Sequence, residues 1–433
     1  MDWGMRMNAL RQYSADALAE FEREARQRYE EYRAMGLSLN MARGKPAPEQ
    51  LDMSDPLFDL TRADCGVKAA DGTDCRNYGL LCGLDEMRSL FGEIMGADRD
   101  NVIACGCSSL NIMFDYISQC CTHGVDGGEP WLFCKDRKMI ALVPGYDRHF
   151  KVAEHFGFDF VCVPMTKTGP DMDQLEEAVK DPSVKGMFCV PKYSNPDGCT
   201  FSEETVRRLA SMKTAAADFR VIWDLAYTVH DLYDDDRDEL ANVFEIAKRY
   251  GTEDRFIAVA STSKITFAGA GISAVAASDA NIAAIRKRMT TQIIGYDKIN
   301  QLKHAYFYKN LDDIRAQMRR HAVFLRPKFE TVLRTLDEEL SGLGVAEWSK
   351  PKGGYFISLD VTTGSAKYVE ELCRDCGVTL TPVGATWPRG KDPEDKNIRL
   401  APSYPSVEEI GLAAKIIAVS VRLAACRALK ENA

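Results

Sequence analysis

Three features of the sequence predict an α/β fold with a mostly parallel sheet. Short apolar runs of strand length recur at residues 101–105, 139–144, 158–164, 186–191, 220–224 and 256–261. Between most of them lie stretches with helical spacing of apolar residues, such as LDEMRSLFGEIMG, MDQLEEAVKD, SEETVRRLASMKTA and LANVFEIAKRYG. Polar residues then follow the carboxyl ends of several runs. Alternation of this kind gives βα units, and near-continuous apolar strands are those covered on both faces by helices.

The remaining elements follow in order. Residues 14–35 read as an amphipathic, highly charged helix. The segment LSLNMARGKPAPEQLDMSDP (37–56) is rich in turn formers and reads as a link from that helix to the main body. The α/β pattern begins near Asn77. From about Asn281 to Leu340 the chain is long-helical, with Gly295 and Pro327 as its few breakers. VAEWSKPKGGYFISLDV and the rest read as strand pairs and helices of a smaller α+β unit. The expected division is 1–60 for the N-terminal helix and a segment joining the small domain, 61–320 for the large domain, and 321–433 for the small C-terminal domain.

Composition narrows the function classes. The chain has 433 residues, enough for two or three domains and a large core without staples. Charged residues make up 27%, and 55 basic against 64 acidic residues give a net charge of −9. That balance argues against a dedicated nucleic-acid or anionic-membrane binder, while leaving room for a local anion pocket. No apolar run approaches the ~20 residues of a membrane span. The charged N-terminus lacks the apolar stretch of a signal peptide, so a cytoplasmic location is expected. The 14 cysteines are then expected as reduced thiols, not disulfides. Cys373 and Cys376 form one C-x-x-C without a second pair or nearby histidines, so no zinc site is expected. Cys105 and Cys107 alternate as strand neighbours do.

In open α/β sheets ligands lie beyond the carboxyl ends of the strands. KYSNPDG follows GMFCVP, Asp224 and LAY follow RVIW, STSK follows FIAVA, GYDRH follows MIALVP, and CSSLN follows VIACG and opens a helix. Asp224, after three apolar residues, is a partly buried carboxylate that needs a cationic partner or else serves as a cap. Lys264 lies in a Ser/Thr-rich loop, as a surface lysine or as an imine-forming amine. A lysine, a carboxylate for a pyridinium nitrogen and a phosphate cradle are together what pyridoxal phosphate requires.

The ordered motifs Y-S-N-P-D-G, D-L-A-Y, S-T-S-K and N-I-R-L-A-P-S resemble the class I aminotransferases of fold type I. The likeness runs from Asn40 to the C-terminus. The wording ARGKP, PKYSNP and STSKITFAGAG is similar to a divergent, aspartate aminotransferase-like branch. The resemblance implies the PLP-transferase fold of type I, with a mostly parallel central sheet flanked by helices and a small α+β domain. It also implies pyridoxal 5'-phosphate as cofactor, a homodimer with composite sites, and ping-pong transfer between an amino acid and a 2-oxo acid, aspartate and 2-oxoglutarate first. Lys264 would form the Schiff base and shuttle the proton, and Asp224 would keep the ring nitrogen protonated. Asn195 and Tyr227 would bond the ring oxygen. Tyr146 would stack on the ring, and His149 would support Asp224. Ser108, Ser109 and Ser261 would donate to the phosphate, the first two at a helix N-terminus that favours an anion. Tyr78 would reach the phosphate of the partner subunit. Arg399 would grip the α-carboxylate bidentately, and Gly44 would line the entrance.

Two departures stand out. The arginine that many relatives carry eight residues after the lysine is Ile272 here, with Thr266 as a substitute phosphate donor. The arginine for a distal carboxylate is not evident, and Lys298 and Arg43 are the candidates. Two other readings stay open: a β-eliminating or C–S lyase using the same cofactor, and an aminotransferase for aromatic donors or alanine; the intact Lys264, Asp224 and Arg399 set argues against a non-catalytic ligand sensor. A dinucleotide-binding oxidoreductase is suggested by Gly269–Ala274, which matches G-x-G-x-x-A. Against it, ISAVAAS reads as a strand, and no acidic residue stands about 20 positions on.

Overall fold

The computed structural model describes residues 8–431. The ends of the expected first and last domains, residues 1–7 and 432–433, lie outside the described residues. The described residues form thirteen strands: β1 Leu39–Asn40, β2 Val102–Ala104, β3 Lys138–Val143, β4 Asp159–Thr166, β5 Gly169–Pro170, β6 Val184–Cys189, β7 Arg220–Asp224, β8 Phe256–Ser261, β9 Ser273–Ala277, β10 Ala346–Trp348, β11 Ile357–Val361, β12 Val378–Thr379 and β13 Asn397–Leu400. Each of the six apolar runs contains or overlaps a strand, and ISAVAAS contains β9.

The chain divides into two compact units. One comprises Pro48–Ser194 and Cys199–Ala322. Its eight-stranded sheet has the order β2-β9-β8-β7-β6-β3-β4-β5. The central pairs β4–β3, β3–β6, β6–β7 and β7–β8 are parallel, and β8–β9, β9–β2 and β4–β5 are antiparallel. Period-2 alternation explains why the central strands are apolar throughout. Val221 and Trp223 enter one apolar layer and Ile222 the other, while Ile257 and Val259 face away from Ala258 and Ala260. Burying a Val, Ile or Phe side chain in such a layer stabilises by about 1.5–3 kcal/mol. Helices between the strands end where the sequence places glycine. Gly96 closes Asp85–Met95 and Gly251 closes Val243–Tyr250, both in the left-handed region.

The other unit comprises the described residues up to Ala47, Asn195–Gly198, and those from Val323 onward. It holds the antiparallel sheet β10-β11-β13 and the parallel pair β1-β12. The helices Ala15–Ala34 and Val407–Glu431 belong to this unit. The small unit therefore draws on both chain ends.

The division departs from the expected boundaries at residues 48–60, 195–198 and 321–322. Residues 48–60 fall in the large unit, where Gln50 and Ser54 are fully buried and Ser54 Oγ donates to the Ile265 carbonyl at 3.4 Å. The turn-rich segment 37–47 is more than a link. Leu39 and Met41 N–H groups donate to Gly377 and Thr379, and Ala401 N–H donates to Met41, so it is threaded into the small unit. Gly269–Ala274 leads into strand β9 and opens no helix, which removes the structural basis of the dinucleotide motif. Strand β2 ends at Ala104, so Cys105 is buried beyond it while Cys107 is exposed in the following turn. Among the described residues no helix is long and apolar enough to cross a membrane, and no cluster of His, Cys, Asp or Glu could hold a metal ion.

Candidate active site

The strand ends of the large unit gather most of the singled-out residues. Asp224 closes β7 and is 2% exposed. Its Oδ2 accepts from His149 Nε2 at 3.1 Å, and its Oδ1 has no hydrogen-bond partner among the described residues. A buried carboxylate oxygen left this way costs several kcal/mol, so the site as built asks for a donor. His149 lies on the helix Asp147–His155, stacked on Phe188 at 5.0 Å and edge-on to Tyr146 at 5.0 Å. That sandwich fixes the imidazole on Asp224.

Lys264 sits in the turn after β8, where the Ile265 and Thr266 N–H groups both donate to the Thr262 carbonyl. Its Nζ lies 4.8 Å from the centre of the Tyr227 ring. The residue keeps part of its surface open, yet its amine end is desolvated. Desolvation lowers the amine's pKa from the usual lysine range, and the charge of Asp224 offsets this in part. A depressed amine pKa is what a nucleophilic lysine needs. Tyr227 is buried and meets the His230 ring edge-on at 5.5 Å.

Ser108 is the N-cap of the helix Ser109–His123; its hydroxyl makes no capping bond, the Asn111 N–H donates to its carbonyl at 3.2 Å, and the helix end otherwise favours an anion. Ser261 Oγ donates to Ser263 Oγ at 3.1 Å, and Ser263 Oγ donates to the Cys107 carbonyl at 3.2 Å. This hydroxyl chain ties the end of β8 to the turn before Ser108. Ser263 was not singled out from the sequence, although it stands beside Lys264 in S-T-S-K. Ser273 Oγ holds the Gly106 carbonyl at 2.6 Å from the other side.

Two expectations change here, for Thr266 and Lys298. Thr266 is no substitute phosphate donor: it is 1% exposed and its hydroxyl is engaged by Thr262 and by His304 Nε2 at 3.1 Å. Ile272 is a core residue whose N–H donates to Thr262 Oγ1 at 2.9 Å. Lys298 is 6% exposed and donates to the Gly79 carbonyl at 3.1 Å, so in this chain it secures the loop carrying Tyr78. Tyr78 itself is 80% exposed.

The small unit holds a second group. Arg399 lies on β13 opposite Ser358 of β11. It is buried, with its Nη1 donating to Asn195 Oδ1 at 3.2 Å and its guanidinium 5.0 Å from the Phe356 ring centre. Thr381 Oγ1 lies 3.4 Å from Arg399 Nε and donates to the Ala42 carbonyl. Accepting from Arg399 leaves the N–H groups of the Asn195 amide free to donate elsewhere. Gly44 abuts Phe356, and a Cβ there would fall 2.3 Å from the ring. Arg43 is exposed.

The residues of the large unit fit pyridoxal phosphate. Asp224 Oδ1 offers the missing acceptor for a protonated ring nitrogen, Lys264 is a desolvated amine, and Ser108 heads an open helix end.

Comparison with known proteins agrees with this class of protein. The model of the aspartate amino-transferase family matches residues 13–433. An aspartate aminotransferase of Corynebacterium glutamicum is 46% identical over 419 residues, 96% of each chain. The crystal structure of an aspartate transaminase from the same species superposes with a TM-score of 0.94 at 45% identity, covering 97% of this chain and 99% of that one. LysN, an α-aminoadipate aminotransferase of Thermus thermophilus solved with N-(5'-phosphopyridoxyl)-L-leucine, gives a TM-score of 0.71 at 20% identity over 92% and 94% of the chains, a likeness of fold alone. The chain belongs to the aspartate amino-transferase family. It is a transaminase with the α/β architecture of fold type I.

Proposed function

We propose that this transaminase uses pyridoxal 5'-phosphate to move the amino group of an L-amino acid, aspartate first, to a 2-oxo acid, 2-oxoglutarate first. The observation that carries the reading is the buried Asp224 Oδ1 without a donor, close enough to Lys264 to act on its charge. The cofactor supplies an aldehyde for the amine and a ring that takes up the electron pair released at the substrate Cα. Asp224, steadied by His149, holds the ring nitrogen protonated. Lys264 Nζ would hold the cofactor through its aldehyde at rest, and once the substrate amine has displaced it the freed amine would move the Cα proton. By the resemblance, Tyr227 and Asn195 would donate to the ring oxygen, and Tyr146 would stack on the ring. Ser108, Ser109 and Ser261 would donate to the phosphate with the helix end behind them, Ser261 turning its hydroxyl away from Ser263 to do so, in place of the arginine that Ile272 displaces.

Arg399 binds the substrate α-carboxylate, with its guanidinium held by Asn195 and Phe356. The proposal includes a homodimer in which the exposed Tyr78 serves the partner's phosphate. Arg43, which is exposed, is the remaining candidate for a side-chain carboxylate. The chemistry splits into two half-reactions and gives ping-pong kinetics. The test is product analysis with the purified holoenzyme. Oxaloacetate from aspartate, dependent on 2-oxoglutarate, is expected; pyruvate and ammonia from serine or cysteine without an acceptor would assign a lyase instead. For Arg399→Ala, KM for the amino acid is expected to rise while the cofactor stays bound.

A further inference from the structure

We propose that Lys192, Asp231 and Tyr193 form a clamp whose role is to position the turn carrying Tyr227. The proposal rests on the reading of Tyr227 as a donor to the cofactor's ring oxygen. Lys192 and Tyr193 belong to the PKYSNP motif, yet the chemistry above gives them no task.

Tyr227 begins a tight turn in which the His230 N–H donates to its carbonyl at 3.0 Å and Thr228 Oγ1 donates to the Leu225 carbonyl at 3.3 Å. Lys192 Nζ grips this turn twice, at the Thr228 carbonyl (3.0 Å) and at Asp231 Oδ1 (2.7 Å). The Tyr193 hydroxyl donates to the same Asp231 oxygen at 2.6 Å and accepts from the Asp238 N–H at 3.2 Å. Lys192 is 7% exposed and Tyr193 1%.

Two features show that this is an imposed arrangement. Tyr193 holds φ at +53°, in the left-handed region that a tyrosine seldom occupies. Burial and Asp231 also push its phenol well above the ordinary range, so it stays a proton donor. Two donors on one carboxylate oxygen, with the further bond from Lys192 to the Thr228 carbonyl, fix the backbone that follows Tyr227, whose ring faces the Lys264 amine and the His230 edge. The titratable groups about the turn are thus Lys264, His230, Lys192, Asp231, Tyr193 and Asp238.

The test compares Asp231→Asn and Tyr193→Phe with Tyr227→Phe, each alone and each combined with Tyr227→Phe, in protein reconstituted with pyridoxal phosphate. The readout is the pH at which the visible absorbance of the resting holoenzyme changes. A donor to the ring oxygen sets that pH, whereas packing elsewhere does not. We expect Tyr227→Phe to raise the midpoint, Asp231→Asn and Tyr193→Phe to raise it in the same direction, and neither to add a shift once Tyr227 is phenylalanine. kcat should fall by about tenfold or more, with KM changed less. In the cofactor-free protein, amide hydrogen exchange at residues 225–231 should quicken in both clamp variants. Tyr193→Phe keeps the ring packing and tests the idea should Asp231→Asn fold poorly. If Tyr227→Phe moves the midpoint and the clamp variants do not, or if they shift it equally without Tyr227, the clamp is overturned. If Tyr227→Phe itself moves nothing, the reading of Tyr227 fails and the clamp's role with it.

Discussion

Gly44→Ala adds a single methyl group, and its consequence can be worked from the structure. The new Cβ would lie 2.3 Å from Phe356 Cζ and 2.8 Å from Cε1. Carbon atoms rest about 3.5–4.0 Å apart, so the ring must retreat by about 1.2–1.7 Å. Phe356 is 6% exposed, and its packed surroundings oppose the retreat. Overpacking of this kind destabilises by about 1–3 kcal/mol. The Arg399 guanidinium lies 5.0 Å from that ring and follows it, and a displacement of about 1 Å in a binding group costs up to ~100-fold in rate. Urea unfolding should therefore show a loss of about 1–3 kcal/mol, and kcat/KM for the amino acid should fall about 10- to 100-fold, mostly through KM. Gly269→Ala is the control, since a Cβ there meets nothing within 4 Å and the backbone is outside the left-handed region. Wild-type stability and KM in Gly44→Ala would refute the reasoning.

Three further outcomes follow from the same geometry. His149→Phe keeps the stack on Phe188 but leaves both Asp224 oxygens without a donor, so unfolding of the cofactor-free protein should show a loss of about 1.5–3 kcal/mol. Lys264→Ala should lower transamination by at least about 10²–10⁴-fold, and borohydride should no longer fix the cofactor to the denatured chain. Burial, with Arg320 nearby, lowers the pKa of His321 from its ordinary 6.5 to about 4. The unfolded chain therefore takes up this proton first as pH falls. Stability is lost between pH 6.5 and 4, on the order of 3 kcal/mol from this group, and His321→Gln should shrink that loss in unfolding measured at pH 7 and pH 4.5. Burial moves His230 and His304 in the same direction.

Much of the fold was legible because its central strands are covered on both faces. A strand such as RVIWD must be apolar at every position, and that leaves the polar residue at its end conspicuous. Asp224, Lys264, Ser261 and Asn195 all stand out in this way. Two-residue strands escape such reading. Leu39–Asn40 carries no pattern of its own and is defined by pairing with Val378–Thr379, far along the chain. For the same reason the end of the small unit at Ala47 was not visible, since threading of residues 37–47 depends on distant carbonyls.

Within the site, what stayed hidden were groups that act on other side chains. Thr381 and Phe356 support Arg399, and Thr262 organises the lysine turn, through contacts that no spacing rule encodes. Lys192 and His230 offered a weak signal, as polar residues within otherwise buried loops. Thr266 misled because a hydroxyl two residues after the lysine looks free in a sequence, while in the fold it is spent on Thr262 and His304.

A single half-reaction decides between this account and its rivals. The holoenzyme is mixed with L-aspartate in the absence of any 2-oxo acid, and absorbance and released oxaloacetate are followed together. The account requires the resting absorbance to be lost with one equivalent of oxaloacetate per site, and 2-oxoglutarate alone to restore it. An unchanged spectrum, or continuous turnover of amino acid to oxo acid and ammonia without an acceptor, would contradict it.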